Sequence, residues 1–468
     1  MTMNHWRTGV CAAASFCLAS AVAATELDPA PEPVRLQITA EAERFDVPGI
    51  AVAAIRDGNV AWIEVQGKAA EDRPLDRDTQ FNVASLTKPI FATMVMGLVQ
   101  AGEFDLDAPL SRHWTDPDVA EDPRNEQLTA RLALSHQSGF PNWRGRNPLA
   151  FQFEPGARHE YSGEGFEYVR RAVERSTEQS MPELMARYVT GPAAMADARF
   201  GWSDAIAATL ATGYREDGSA MDMAYLEQRK PNAAANTFAT IEDVAHFAAW
   251  VARGADLEPA LFAEITRPQA MHDNPAEYFS IGWRLTMVGE TPVLSHDGRE
   301  DGLRTLMVVD PQTRDGLVIL TNSSNGELVT RGIVAAALPE GDALNAQIDR
   351  DIWHFIKSQP PQMQAGLLGF IARSPSFTAK LLYAVDTTLI GAVDLSAEER
   401  RQAQRSAQAL VGAHHDGVVD AEALQRHLAL LAGDESDGAG LVDRFDADAA
   451  QSWIRSLETL ETGSVATP

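Results

Sequence analysis

FNVASLTKPIF, residues Phe81 to Phe91, sets Ser85 three positions ahead of Lys88, just where the apolar run FATMVMGLV begins. Lysine is scarce in this chain. Lys68, Lys88, Lys230, Lys357 and Lys380 are the only ones, and Ser85 is the only serine followed by a lysine at that spacing. The pattern predicts a helix from Leu86 with Ser85 as its cap, placing the hydroxyl at the positive end of the helix dipole. Lys88, one turn later, projects on the same face and can reach the serine oxygen. A hydroxyl is a poor nucleophile until a base takes its proton, and a lysine in a dry cleft can lose its charge and become that base. The plainer alternative is an ordinary capped helix carrying a surface lysine.

Two further stretches carry chemistry-bearing residues. In EYSGEGFEYV, Tyr161 precedes Ser162-Gly163 and the helical pattern VRRAVERS. A tyrosine beside a lysine and a second cation can be poised as a phenolate, serving as general base and then as acid. In SHDGRE, His296, Asp297 and Gly298 end a strand-like run. Gly298 permits close approach of the backbone to a ligand, and the N–H of Arg299 can join that of Ser85 as an oxyanion hole.

The chain around these motifs has 468 residues and 45% hydrophobic content, enough for a large core and a globular fold. A formal net charge of -27 excludes nucleic acid and anionic membrane surfaces as expected partners. MTMNHWR, the short apolar run GVCAAASFCLASAVA and the small-x-small Ala21-Val22-Ala23 match a cleaved export signal over residues 1–24. A Pro-rich linker follows over 25–33. Cys11 and Cys17, the only cysteines, fall inside the signal, and neither sits as a lipoprotein cysteine would, so no stable membrane anchor is expected. The mature chain would have no thiol nucleophile, no disulfide and no cysteine-ligated metal, as suits a bacterial periplasmic or secreted protein.

The pattern VRLQITAEAERF is helical; GIAVAAI and VAWIEVQG around Asp57-Gly58-Asn59 read as a hairpin. Strand signals return in YFSIGWRLTMV, TPVLSHDG, LRTLMVVD and LVILTNS, with the chain from Lys88 to about Arg253 expected to be mainly helical. The expected fold is α+β: a central antiparallel sheet built from both ends of residues 34–341 and flanked by helices, with a helical subdomain inserted between its second and third strands. Residues 342–468 are expected to form a separate acidic, helical C-terminal extension. Its HHDGVVDAEAL lacks the calcium-loop glutamate, since Ala423 stands at the bidentate position and Glu422 one residue early; His414-His415 reads as a solvated loop, so no metal site and no cofactor follow.

Read in order, SLTK at Ser85–Lys88, YSG at Tyr161–Gly163 and HDG at His296–Gly298 resemble the three motifs of the penicillin-recognising serine hydrolases, most of all the branch of class C β-lactamases, β-lactamase-like esterases and D-amino-acid-specific peptidases. LALSHQSGFPNW, NTFATIEDVAHFAAWV and SIGWRL match as connecting segments, and the resemblance runs from about Val34 to Leu338. It implies a β-lactamase/transpeptidase-like fold and an acyl-enzyme on Ser85. Lys88 and Tyr161 would manage its proton, with Tyr161 as base for the deacylating water. The N–H groups of Ser85 and Arg299 would hold the oxyanion, each worth on the order of 3 kcal/mol. Two departures stand out. Gly163 replaces the usual asparagine, whose amide binds an acylamino chain and orients the lysine, leaving Glu164 as a partial substitute. His296 replaces the usual lysine, leaving Arg299 or Arg304 to supply charge for a carboxylate. The leading expectation is an exported serine hydrolase acting on a small ester or a D-amino-acid peptide. A β-lactamase or D-alanyl-D-alanine peptidase, and a non-catalytic module binding a cell-wall fragment, are the alternatives; the sequence leaves the oligomeric state open.

Overall fold

Asp57 and Gly58 take left-handed backbone angles, φ +47° and +74°, and join Arg56 to Asn59 in a two-residue hairpin turn. Both central residues at positive φ give the twist that an antiparallel pair needs, which is why Asp-Gly stands there. In this computed structural model, residues 27–271, 278–345 and 347–348 are described. The expected signal, and the extension apart from residues 342–345 and 347–348, His414-His415 included, lie outside the described residues.

The first elements are α1 (Glu32–Arg44), the hairpin strands β1 (Gly49–Arg56) and β2 (Asn59–Ala70), then β3 (Arg73–Pro74) and β4 (Phe81–Asn82). The middle of the chain supplies α2 (Thr87–Gln100), α3 (Ala130–Leu134), α4 (Gly163–Thr177), α5 (Met181–Met185), β5 (Arg199–Phe200), α6 (Asp204–Ala207), β6 (Thr237–Ala239), α7 (Ile241–Ala252) and α8 (Pro259–Thr266). The end returns to strands: β7 (Ala270–Met271), β8 (Tyr278–Phe279), β9 (Arg284–Val288), β10 (Thr291–Glu300), β11 (Leu303–Asp310) and β12 (Asp315–Thr321), closed by α9 (Thr330–Ala337).

The main sheet runs β3-β2-β1-β12-β11-β10-β9-β8-β7 and is antiparallel throughout. β1 meets β12 from Ile50↔Thr321 to Ile55↔Gly316, so strands from the two ends of the domain share the centre, as expected. Both faces of β1 are buried because side chains alternate between two cores. Ala51, Ala53 and Ile55 pack in the core that holds α2 and α7, whereas Ile50, Val52 and Ala54 pack with Val34 and Ile38 of α1 and Ile333 and Val334 of α9.

The inserted region departs from the mainly helical expectation. Beside α2, α4 and α7, of 14, 15 and 12 residues, its helices are short, loops and 3-10 turns fill much of the rest, and it contributes a second sheet, β4-β6-β5, of two- and three-residue strands. Strands so short show no alternation to read. Among the described residues, no helix is long and apolar enough to cross a membrane.

Candidate active site

Ser85 does not cap α2. It lies within a 3-10 turn, Ala84–Leu86, that runs into the helix at Thr87. The turn is pinned from both sides. Val83 N–H donates to Thr237 O of β6 at 2.9 Å, and Ala84 N–H to Asn82 Oδ1 at 2.9 Å. Thr87 Oγ1 donates to Ala84 O at 2.7 Å and lies 2.9 Å from Thr237 Oγ1. This anchoring drives Ala84 to φ +47°, a left-handed conformation that costs a non-glycine residue about 1–2 kcal/mol. The strain is stored next to the half-buried Ser85.

The helix that follows is apolar nearly all round, so it is buried nearly all round, and Lys88 is carried into the core with it at 1% exposure. A surface lysine is thereby excluded. Its Nζ lies 3.2 Å from Ser85 Oγ and donates to Ala234 O at 2.9 Å. The same amine sits 4.7 Å from the centre of the Tyr161 ring. Burial pulls the lysine pKa down to about 7, against the opposing pull of the Asp297 charge. Near neutral pH a large share of this amine is unprotonated and able to accept the serine proton.

The third motif comes in on β10. A Cβ at Gly298 would lie 2.2 Å from Thr305 Oγ1 and 2.5 Å from Val83 O, so only glycine lets this strand rest against the Ser85 turn. Thr305 Oγ1 donates to Val83 O at 3.2 Å and ties β11 to the same turn. β9 pairs with β10 only from Thr291 to Ser295, so the His296–Glu300 stretch extends past it. His296 is buried, its Nδ1 2.7 Å from Asp297 O, and burial lowers its pKa to about 3, leaving a neutral ring at pH 7. Arg299 is engaged by two carboxylates, Asp297 at 3.3 Å and Glu327. Asp297 also accepts from Arg284 at 2.8 Å. Arg304 neighbours Thr305 on β11 and so points to the opposite face of the sheet, where its Nη1 donates to Glu300 O and Leu303 O.

Tyr161 immediately precedes α4, whose cap is Ser162; the Ser162 hydroxyl accepts from Gly165 N–H at 3.0 Å. Burial pushes the tyrosine pKa up, with a hydrogen bond to Ser85 acting in the other direction. The phenol is therefore held protonated rather than poised as a phenolate. Gly163 faces the indole of Trp143: a Cβ there would fall 2.6 Å from Trp143 Cζ2. Glu164 takes over nothing from the missing asparagine, because its oxygens are held by Arg144 Nε at 3.0 Å and Arg144 N–H at 3.1 Å.

The sequence reading gave the stretch ending at Trp143 no role beyond that of a matching connecting segment. Residues 136 to 144 form a seam along the Tyr161 segment: Ser162 Oγ donates to Pro141 O at 2.9 Å, Gly163 N–H to Asn142 O at 3.0 Å, and Ser162 N–H to His136 Nδ1 at 3.0 Å. The signal available was a histidine in LALSHQSGFPNW, a loop with no periodicity. Ser85, Lys88, Tyr161 and Gly298 are thus brought together, and no group of three or more His, Cys, Asp or Glu among the described residues is placed to hold a metal ion.

The family model described as Beta-lactamase matches residues 37–339, more than half of the chain. The chain belongs to that family. Esterase EstB of Burkholderia gladioli is 39% identical to this β-lactamase-family chain over 105 residues, 22% of this chain and 26% of that protein. The chain spans between 26% and 62% of the length of the curated relatives first matched. Among solved structures, the penicillin binding protein from Bacillus halodurans superposes with a TM-score of 0.56 at 22% identity, over 64% of this chain and 97% of that one. The D-stereospecific amidohydrolase from Streptomyces sp. gives a TM-score of 0.54 at 19% identity, over 66% and 99%. These likenesses show the fold.

Proposed function

We propose that this protein is an exported serine hydrolase that cleaves a small, neutral ester or amide through an acyl intermediate on Ser85. The observation that carries the reading is the buried Lys88 amine, 3.2 Å from Ser85 Oγ with its pKa pulled to about 7. Lys88 takes the serine proton as Ser85 Oγ attacks the carbonyl carbon. The N–H groups of Ser85 and Arg299 receive the oxyanion. Tyr161, kept protonated, passes its proton to the departing alkoxide or amine and regains one from the Lys88 ammonium, which leaves Lys88 neutral again to take a proton from the water that releases the acyl group.

The substrate class follows from what surrounds the serine. Trp143 occupies the space beside Gly163, so no side-chain amide is offered there to an acylamino group. His296 is neutral and Arg299 already carries two carboxylates, so the third motif is a poor seat for a substrate carboxylate. The stretch shared with an esterase agrees with an ester. The test is release of p-nitrophenol from p-nitrophenyl butyrate by the protein and by Ser85→Ala. Release that disappears in the variant is expected; equal, near-background release from both would overturn the reading.

A further inference from the structure

We propose that His136 is a positioning residue whose ring face fixes Tyr161 against the Ser85–Lys88 pair. This rests on the hydrolase reading above. Tyr161 retains some exposure to solvent. His136 is fully buried and grips the tyrosine in three ways. Its carbonyl accepts from Glu160 N–H at 2.8 Å, its Nδ1 accepts from Ser162 N–H at 3.0 Å, and its ring stacks on the phenol with centroids 4.2 Å apart and planes 28° apart. The two N–H groups flank Tyr161, so backbone and ring are held by one residue. Phe166 at 5.2 Å and the edge of Phe279 at 5.2 Å box the imidazole in turn. On the tyrosine side, the Lys88 amine lies 4.7 Å from the phenol centroid.

Histidine is a costly choice for the clamp alone. Its backbone is left-handed, φ +60°, and because Nδ1 accepts, the proton sits on Nε2, which has no hydrogen-bond partner among the described residues. Asparagine tolerates the left-handed angle and presents an acceptor where Nδ1 stands, with amide N–H donors in place of the Nε2 donor. What asparagine lacks is the face laid on Tyr161. The imidazole is kept for that face.

His136→Asn separates the two roles, read by p-nitrophenyl butyrate turnover and thermal melting. The melting temperature should change by less than about 4 °C. kcat should fall about tenfold or more with KM within about twofold, as when a reacting group is misplaced by a fraction of an ångström. In a Tyr161→Phe background, the same substitution should cause no further loss, because the hydroxyl it positions is gone. A kcat within about twofold of wild type, or an equal loss in both backgrounds, overturns the proposal. Should His136→Asn not fold, His136→Phe decides: it keeps the ring and strands Ser162 N–H, so it should melt lower yet keep kcat above that of His136→Ala. Equal kcat in those two variants overturns the assignment. Turnover that survives Ser85→Ala defeats the hydrolase reading itself; Ser85-dependent turnover with a neutral His136→Asn defeats only the role of His136.

Discussion

Replacing Lys88 with methionine should abolish turnover and stabilise the fold at neutral pH. The folded-state pKa of about 7 lies well below the ordinary 10.5. Between those two values the unfolded chain binds more protons than the folded protein, so wild-type stability rises with pH across the window. At about 1.36 kcal/mol per pH unit, this amine costs about 5 kcal/mol below pH 7, and the cost fades as the pH climbs toward 10.5. Methionine is of similar length and has no proton to lose. It strands Ala234 O, which Lys88 serves at 2.9 Å, at a cost of about 1–3 kcal/mol.

The net gain for Lys88→Met is therefore about 2 kcal/mol at pH 6.5, falling by about 3 kcal/mol by pH 9.5. Urea unfolding of both proteins at several pH values measures it. The same proton should govern activity: wild-type kcat/KM for p-nitrophenyl butyrate should rise with pH through about 7, corrected for release by Ser85→Ala. A stability difference that does not change between pH 6.5 and 9.5 would refute the argument, because Lys88 would then be charged in the fold and unable to act as base.

Gly298→Ala must push β10 off the Ser85 turn, since its Cβ meets Val83 O at 2.5 Å; a stability loss of about 1–3 kcal/mol and a kcat at least about tenfold lower are expected from unfolding and ester kinetics. Restoring asparagine at Gly163 should fail by itself, because Trp143 holds the space: Gly163→Asn should melt lower and gain no acylation by penicillin in mass spectra. Adding Trp143→Ala to that variant should recover most of the melting temperature; no recovery would mean that Trp143 is not the obstacle.

What the sequence disclosed and what it withheld divide along physical lines. Asp57-Gly58 was readable because a tight hairpin admits few residues, and β10 to β12 because their strands are long enough to alternate. Ser85 and Lys88 were readable as neighbours, since helical spacing fixes which residues share a face. The environment of that pair was not. The cap expected at Ser85 gave way to a 3-10 turn because β4, β6 and Asn82 fix the chain just upstream, a tertiary constraint stronger than capping preference. The depth of Lys88 was half legible: FATMVMGLV is apolar on every side, which only a buried helix tolerates. The seam from His136 to Arg144 left no trace in periodicity, because its contacts are hydrogen bonds from a loop to the start of α4, 20 to 26 positions along the chain.

The charges around the serine bear on which substrates the site will accept. Asp297 is held by both Arg284 and Arg299, and Glu327, nearly buried, holds Arg299 from the other side. A substrate carboxylate seeking Arg299 would have to displace one of these carboxylates, and Glu327 would then be left in a setting that solvates it poorly. Lys88 offers no alternative cation, because a base that takes the serine proton must be neutral when the substrate arrives. His296 is neutral as well. On the proposed mechanism a neutral ester or amide requires none of these groups to move: its carbonyl would need only the N–H groups of Ser85 and Arg299 and the Ser85 hydroxyl. On the proposed mechanism, the arrangement that lets Ser85 be deprotonated is therefore the same one that disfavours anionic substrates, and specificity would follow from the way the nucleophile is activated.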